Sequence, residues 1–112
     1  MIKKILVAVD GSEKSDHVLK QAVEHSLKWK ADLILVSVIP PLSSIAYMGP
    51  VPMYRSEWEN AARESMEKIL DEATTKIKEQ YNSINITTKL EKGRPSDVIV
   101  ELAKSENVDL II

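Results

Sequence analysis

With 112 residues, 44% of them apolar and 29% charged, the chain has room for one globular domain and too much hydrophobicity to remain disordered. Seventeen acidic against 15 basic side chains leave a formal net charge of −2, which argues against a nucleic-acid partner held by charge. Cysteine is absent, excluding disulfide scaffolds, thiolate metal sites and cysteine nucleophiles, and no apolar run reaches the ~18 residues of a membrane span.

The chain opens with basic Lys3-Lys4 and runs into Ile5-Leu6-Val7-Ala8-Val9, which stops at Asp10-Gly11-Ser12. The run is too short for a signal peptide, which points to a cytoplasmic protein with no membrane partner. Continuous rather than alternating hydrophobicity predicts a strand covered on both faces, as in a parallel sheet. Ser12 is the expected cap of a first helix over residues 13–30, whose stripe is Val18, Leu19, Ala22, Val23, Ser26 and Leu27. Residues 33–39 form a second buried strand, ended by Pro40-Pro41 because proline offers no amide to a ladder. Residues 40–55 carry four prolines and Gly49 without any period, a long functional or mobile loop.

A second helix follows, with Trp58, Ala62, Met66, Ile69, Ala73, Ile77 and Tyr81 on one stripe, widened by Ala61, Ser65 and Leu70. Glu64/Lys68 and Glu72/Lys76 stand at i,i+4 in the favourable orientation. Residues 84–90 alternate and are β-branched, which predicts an edge strand with one wetter face. Gly93-Arg94-Pro95-Ser96 turns into a third helix with Val98, Ile99, Leu102 and Ala103 inward and Asn107 at its close, and residues 108–112 begin a fourth strand. This β-α-β-α-β-α-β order predicts an α/β fold, an open parallel sheet with helices on both faces. A free carboxylate next to apolar strand residues suggests a single domain over residues 1–112 that lacks a C-terminal part.

In such sheets ligands bind beyond the carboxyl ends of the strands, where strand order reverses. That rim carries Asp10, Gly11 and Ser12, then residues 38–41, then Gly93, Arg94 and Pro95. A carboxylate at Asp10 can accept from a ribose hydroxyl or an adenine amine, beside the amides opening the first helix. Equally, Asp10 and Ser12 can simply cap that helix. His17, Gln21 and His25 share one helix face, but no third ligand completes a metal site. The loop residues Tyr47, Met48, Met53 and Tyr54, with Trp58, can cover a ligand, dock a partner or merely shield the sheet end. Trp29 is expected to pack at the end of the first helix.

The phrase Ile5-Leu6-Val7-Ala8-Val9-Asp10-Gly11-Ser12 closely resembles the opening of the universal stress protein family. So do the second strand from Leu33 to Pro40 and Gly93-Arg94-Pro95 followed by Ile99, Ala103 and Val108-Asp109-Leu110-Ile111-Ile112. The resemblance spans the whole chain in the expected order. It implies a sheet of order 3-2-1-4-5, truncated here after strand 4, and, for one branch, ATP or another adenine nucleotide as ligand. Carried over, nucleotide-binding positions are Ala8, Val9, Asp10, Gly11, Ser12, Val38 and Gly93, with adenosine at Ala8, Val9 and Asp10 and Val38 packing on the base.

ATP-binding members follow strand four with a G-x2-G-x9-G-[ST] loop. The three glycines here, Gly11, Gly49 and Gly93, do not open one. The resemblance thus implies a stress-response nucleotide module whose triphosphate cradle is missing from these residues, with hydrolysis weak at most. The alternative is a nucleotide-independent homodimeric interaction module. No G-x-S-x-G or H-E-x-x-H motif and no defensible Ser/His/Asp set supports a hydrolase, and the acidic pair of a receiver domain is missing.

Overall fold

The structure, a computed structural model, describes residues 1–41 and 55–112. Its elements are β1 (Lys4–Ala8), α1 (Glu13–Trp29), β2 (Asp32–Ile39), α2 (Arg55–Gln80), β3 (Ile86–Lys92), α3 (Pro95–Ser105) and β4 (Leu110–Ile111). The four strands are parallel and lie in the order β3-β2-β1-β4. The expected α/β fold and the first four places of the expected strand order are therefore present. The loop residues 42–54, Tyr47, Met48, Met53 and Tyr54 among them, fall outside the described residues.

β1 and β2 are covered on both faces, so their two side-chain sets enter different cores. Ile5, Val7 and Val9 with Leu33 and Leu35 pack against Leu19, Ala22 and Val23 of α1 and Leu70 and Ile77 of α2. Leu6, Ile34 and Val36 turn the other way onto Leu102 of α3, with Ile99 and Ala103 alongside. This partition explains why both runs are continuously apolar: every second residue belongs to a different cover. β3, at the edge, is paired on one side only and holds no fully buried residue, with Ile86, Lys89 and Leu90 half-buried and the rest exposed rather than in the expected alternation.

The helix ends follow local chemistry. Ser12 caps α1, its hydroxyl accepting from the Ser15 amide at 3.1 Å. At the other end Lys30 takes a left-handed φ of 55°, its amide returns to Ser26, and the buried Ser26 hydroxyl donates to the Ala31 carbonyl at 2.6 Å. Pro95 opens α3, and Asn107 leaves it with φ 53°.

Some boundaries and faces differ from expectation. Ile84 is buried but precedes β3, because its amide joins a turn onto Tyr81. Val108 precedes β4, its amide bonding to the Ala103 carbonyl at the end of α3. Ala61 and Ser65 are exposed, and Leu70 is the deepest residue of α2. Trp29 is not packed away: it is 39% exposed, with the Lys28 ammonium 5.3 Å from its ring centre. The i,i+4 pairs of α2 make no ion pair; Lys92 instead meets Glu59 at 2.8 Å, and Glu106 lies 4.0 Å from Lys4 and 3.3 Å from Lys89.

Leu35, fully buried at the centre of the sheet, is expected to cost about 2–5 kcal/mol when cut to Ala, whereas Val100→Ala on the exposed side of α3 stays within about 0.5 kcal/mol. Urea unfolding of both variants measures the contrast, and equal losses would contradict the two-cover core.

Candidate functional site

β1 is the middle of the sheet's reversal: β2 lies on one side, reached through α1, and β4 on the other, reached through α3. Strand order reverses between β1 and β4, which makes the carboxyl end of β1 the switch point. The register sets Ala8 beside Val36, and the Val9 amide donates to the Val36 carbonyl at 2.8 Å. The ladder ends there: the Asp10 amide turns to the Ser15 hydroxyl, and Asp10 leaves the tip of β1 next to the end of β2 that carries Val38. Ala8, Val9, Asp10 and Val38 thus gather at the tips of two neighbouring strands, as expected.

Gly93 is set apart from them. Its amide donates to the Ile39 carbonyl at 3.0 Å, which leaves it on the far side of β2, roughly 9–10 Å from the β1 tip at two strand spacings. Its φ of 140° and the 3.1 Å gap from a would-be Cβ to a Val98 methyl show what it does: it turns β3 tightly into α3.

The loop after β1 is tied by three short hydrogen bonds. The Asp10 carboxylate accepts from the Ser12 amide at 2.9 Å, the Ser12 hydroxyl caps Ser15, and the Ser15 hydroxyl accepts from the Asp10 amide at 3.2 Å. Gly11 has φ 82°, and a Cβ there would meet Ile69 of α2 at 3.0 Å, so both backbone and space select glycine. Asp10 remains exposed beyond the loop. Donation from Ser12, by the hydroxyl first and then the amide, holds its carboxyl below the ordinary value, against a smaller opposing effect of burial. An ionised carboxylate only accepts hydrogen bonds, which suits ligand hydroxyls and amines.

The start of α1 differs from expectation. Its dipole faces Asp10, Glu13 and Asp16, and Ser12 already takes the Ser15 amide. Three carboxylates at one helix start repel an anion, so this rim suits the neutral part of a nucleotide better than its phosphates.

Sequence reasoning missed Ser37. It is buried within an apolar strand and donates to the Val9 carbonyl at 2.6 Å, locking the β1 and β2 tips together. The signal was there: Ser37 is the lone polar residue in the run 33–39. A cavity of about 600 Å³ was also missed. It reaches Val9, Asp10 and Gly11 but runs away from Ala8, Ser12, Val38 and Gly93, down between α1 and α2. Among the described residues no group of three His, Asp or Glu side chains is placed to hold a metal, and no helix is long and apolar enough to cross a membrane.

Doubly covered parallel strands in the order 3-2-1-4, with a switch point after β1, define a doubly wound α/β protein. Comparison with known proteins narrows the class. The profile of the universal stress protein family matches residues 1–112, and the chain belongs to that family. Universal stress protein YxiE of Bacillus subtilis is 31% identical, covering 100% of this chain and 78% of its own length. A Staphylococcus haemolyticus relative of the same family name is 29% identical over 98% of this chain, which spans 64% of that relative. Among solved structures, a universal stress protein of Burkholderia pseudomallei superposes with a TM-score of 0.80 at 25% identity, covering 98% of this chain and 79% of its own. A universal stress protein solved in complex with cAMP shares the fold, with a TM-score of 0.70 at 23% identity over 98% of this chain and 70% of its own.

Removing the Ser37 hydroxyl leaves the Val9 carbonyl without its buried donor, so Ser37→Ala should cost about 1–3 kcal/mol, read by chemical denaturation; an unchanged midpoint would show that the tips need no such tie. Because the Asp10 carboxyl is depressed in the folded state, its contribution to stability is complete above the unfolded value near 3.8 and is lost as pH falls through the lower folded one. Melting temperature should therefore fall less steeply below about pH 4 in Asp10→Asn than in the parent chain. Identical acid limbs would contradict the assignment.

Proposed function

We propose that the chain binds an adenine nucleotide by its adenosine end, at the tips of β1 and β2, as a cytoplasmic stress-response module. The observation that carries the proposal is the exposed, ionised Asp10 where the chain leaves β1 at the switch point, beside the end of β2 that carries Val38. Val38, half-buried on the α3 face, gives the base an apolar surface, and the exposed end of β1 at Ala8 leaves room for it. The carboxylate of Asp10 receives the ribose hydroxyls. The related universal stress protein solved with cAMP supports an adenine nucleotide as the ligand class. Gly11 and Ser12 hold the turn that aims Asp10, and Gly93 shapes the neighbouring rim without reaching the base.

The phosphates have no cradle among these residues. The acidic start of α1 repels them, and no glycine opens a loop of convergent amides. Affinity of the 112-residue chain for ATP is accordingly weaker than about 0.1 mM. Binding acts as a stability switch, since a ligand held only by the folded state shifts the folding equilibrium.

A second reading rests on a different feature. Ile111 of β4 is an apolar side chain 49% exposed, and it is the contact through which a homodimer could form without nucleotide.

Titration of isotope-labelled protein with cAMP and with ATP, followed by amide shifts, separates the two. Nucleotide binding predicts shifts at Ala8, Asp10 and Val38 that saturate with either ligand, and an affinity at least about tenfold weaker in Asp10→Ala. Shifts elsewhere, or an unchanged affinity in that variant, would overturn it. Sedimentation showing a nucleotide-insensitive dimer broken by Ile111→Lys would favour the second reading.

A further inference from the structure

The cavity that leaves the nucleotide rim runs as a trough between two helices that hardly touch. α1 packs on β1 and β2, α2 packs on β2 and β3, and the space between them is floored by Leu19, Val23, Ile69, Ala73 and Ile77. Both helices return from strand tips to strand bases, so they run side by side in the same direction. From Asp16 to Leu27 on one wall and Ile69 to Tyr81 on the other, the trough is about 16–18 Å long, or three helical turns. At the lower end Leu27, on the apolar stripe of α1, and Tyr81, one residue past α2, are 40% and 39% exposed.

The walls are charged in a graded way. Lys20 of α1 and Glu72 of α2 line the middle, and Glu24 and Lys76 line the next turn, so acid and base balance there. At the upper end Asp10 and Asp16 stand together with no lysine or arginine among the lining residues at that level. Among the described residues none of these six groups is in an ion pair within 4.0 Å. The trough is therefore apolar along its floor, neutral along its middle and doubly negative at one end.

We propose that this trough seats an amphipathic helix of a partner protein, about three turns long and basic at the end that meets Asp10 and Asp16. A trough open along its length keeps one side of its occupant wet. That favours a helix with a polar outer face over an acyl chain, whose outer side would stay exposed to water. The negative upper end selects the sign and orientation of the helix, since cationic side chains meet two carboxylates there that no lysine or arginine of the described residues neutralises. The trough shares Asp10 with the nucleotide rim, but Ala8 and Val38 do not line it, so their amide shifts report nucleotide and not the helix.

The test uses synthetic helical peptides with leucines at i, i+3, i+4 and i+7. One carries two lysines at one end, a second has glutamates in their place, and a third is a scramble without an apolar stripe. Binding is read by fluorescence anisotropy and located by amide shifts on the full chain. The lysine peptide should shift residues of α1 and α2 that line the trough and bind at least tenfold more tightly than either other peptide. Leu27→Asp and Tyr81→Asp, both at exposed positions that leave the core intact, should each weaken it at least tenfold. Asp16→Asn should weaken the lysine peptide alone, and Val100→Asp on the opposite face should change nothing. No shift at millimolar peptide overturns the proposal, as does equal binding of the three peptides or a footprint on α3. Self-association of the chain that Leu27→Asp abolishes assigns the trough to a second copy and overturns it too.

Discussion

The structure depends on β1 being enclosed on every side. Its two edges are paired with β2 and β4, and its two faces lie under different helices. A backbone so placed has no water to turn to, and each amide and carbonyl must find its partner within the protein. The ladder does this along the strand. At the tip, where the ladder ends, the Ser37 hydroxyl takes over by donating to Val9. The chain can then leave the sheet at Asp10 as a polar segment without abandoning a buried carbonyl behind it.

That exit decides where chemistry can occur. Pairing of β1 with strands reached by opposite crossovers opens the sheet at its carboxyl end, and the Asp10-Gly11-Ser12 turn places a carboxylate at the opening. Gly11 is required twice over, by its dihedral and by the close approach of Ile69. The same residue that shapes the rim therefore also seats α2 against the loop, so the rim and the upper end of the trough share one support.

Much of the architecture was legible in the residues. The runs 5–9 and 33–39 could only be doubly buried strands, and the β-branched, half-polar segment before Gly93 could only be an edge. What stayed hidden concerned partners rather than periods. Ile84 was assigned to a strand because burial and β-branching look alike in sequence, yet it plugs the core from a turn. Leu27 lies on a proper helical stripe, and Tyr81 continues one just past the end of α2, but both stay exposed, because periodicity says which way a side chain faces and not whether a neighbouring helix closes over it. For the site, the turn from Asp10 to Ser12 was visible, whereas the hydroxyl lock of Ser37 needed the register of two strands to be seen. Gly93 belonged to the motif by sequence and stands one strand further off in space.

β4 is the shortest strand, with two ladder residues, and its side chains are only partly buried. Packing alone holds its alignment loosely, since a slide by two residues would keep every side chain on its own face. What distinguishes one alignment from the next is Asp109. One oxygen of its carboxylate accepts from the amides of both Lys3 and Lys4, at 2.8 and 3.0 Å, while its own amide donates to the Lys4 carbonyl. A solvent-facing acid thus serves as the index mark of an otherwise slippery strand, and the amino-terminal end of the β1–β4 pair is aligned by ionic state as much as by shape.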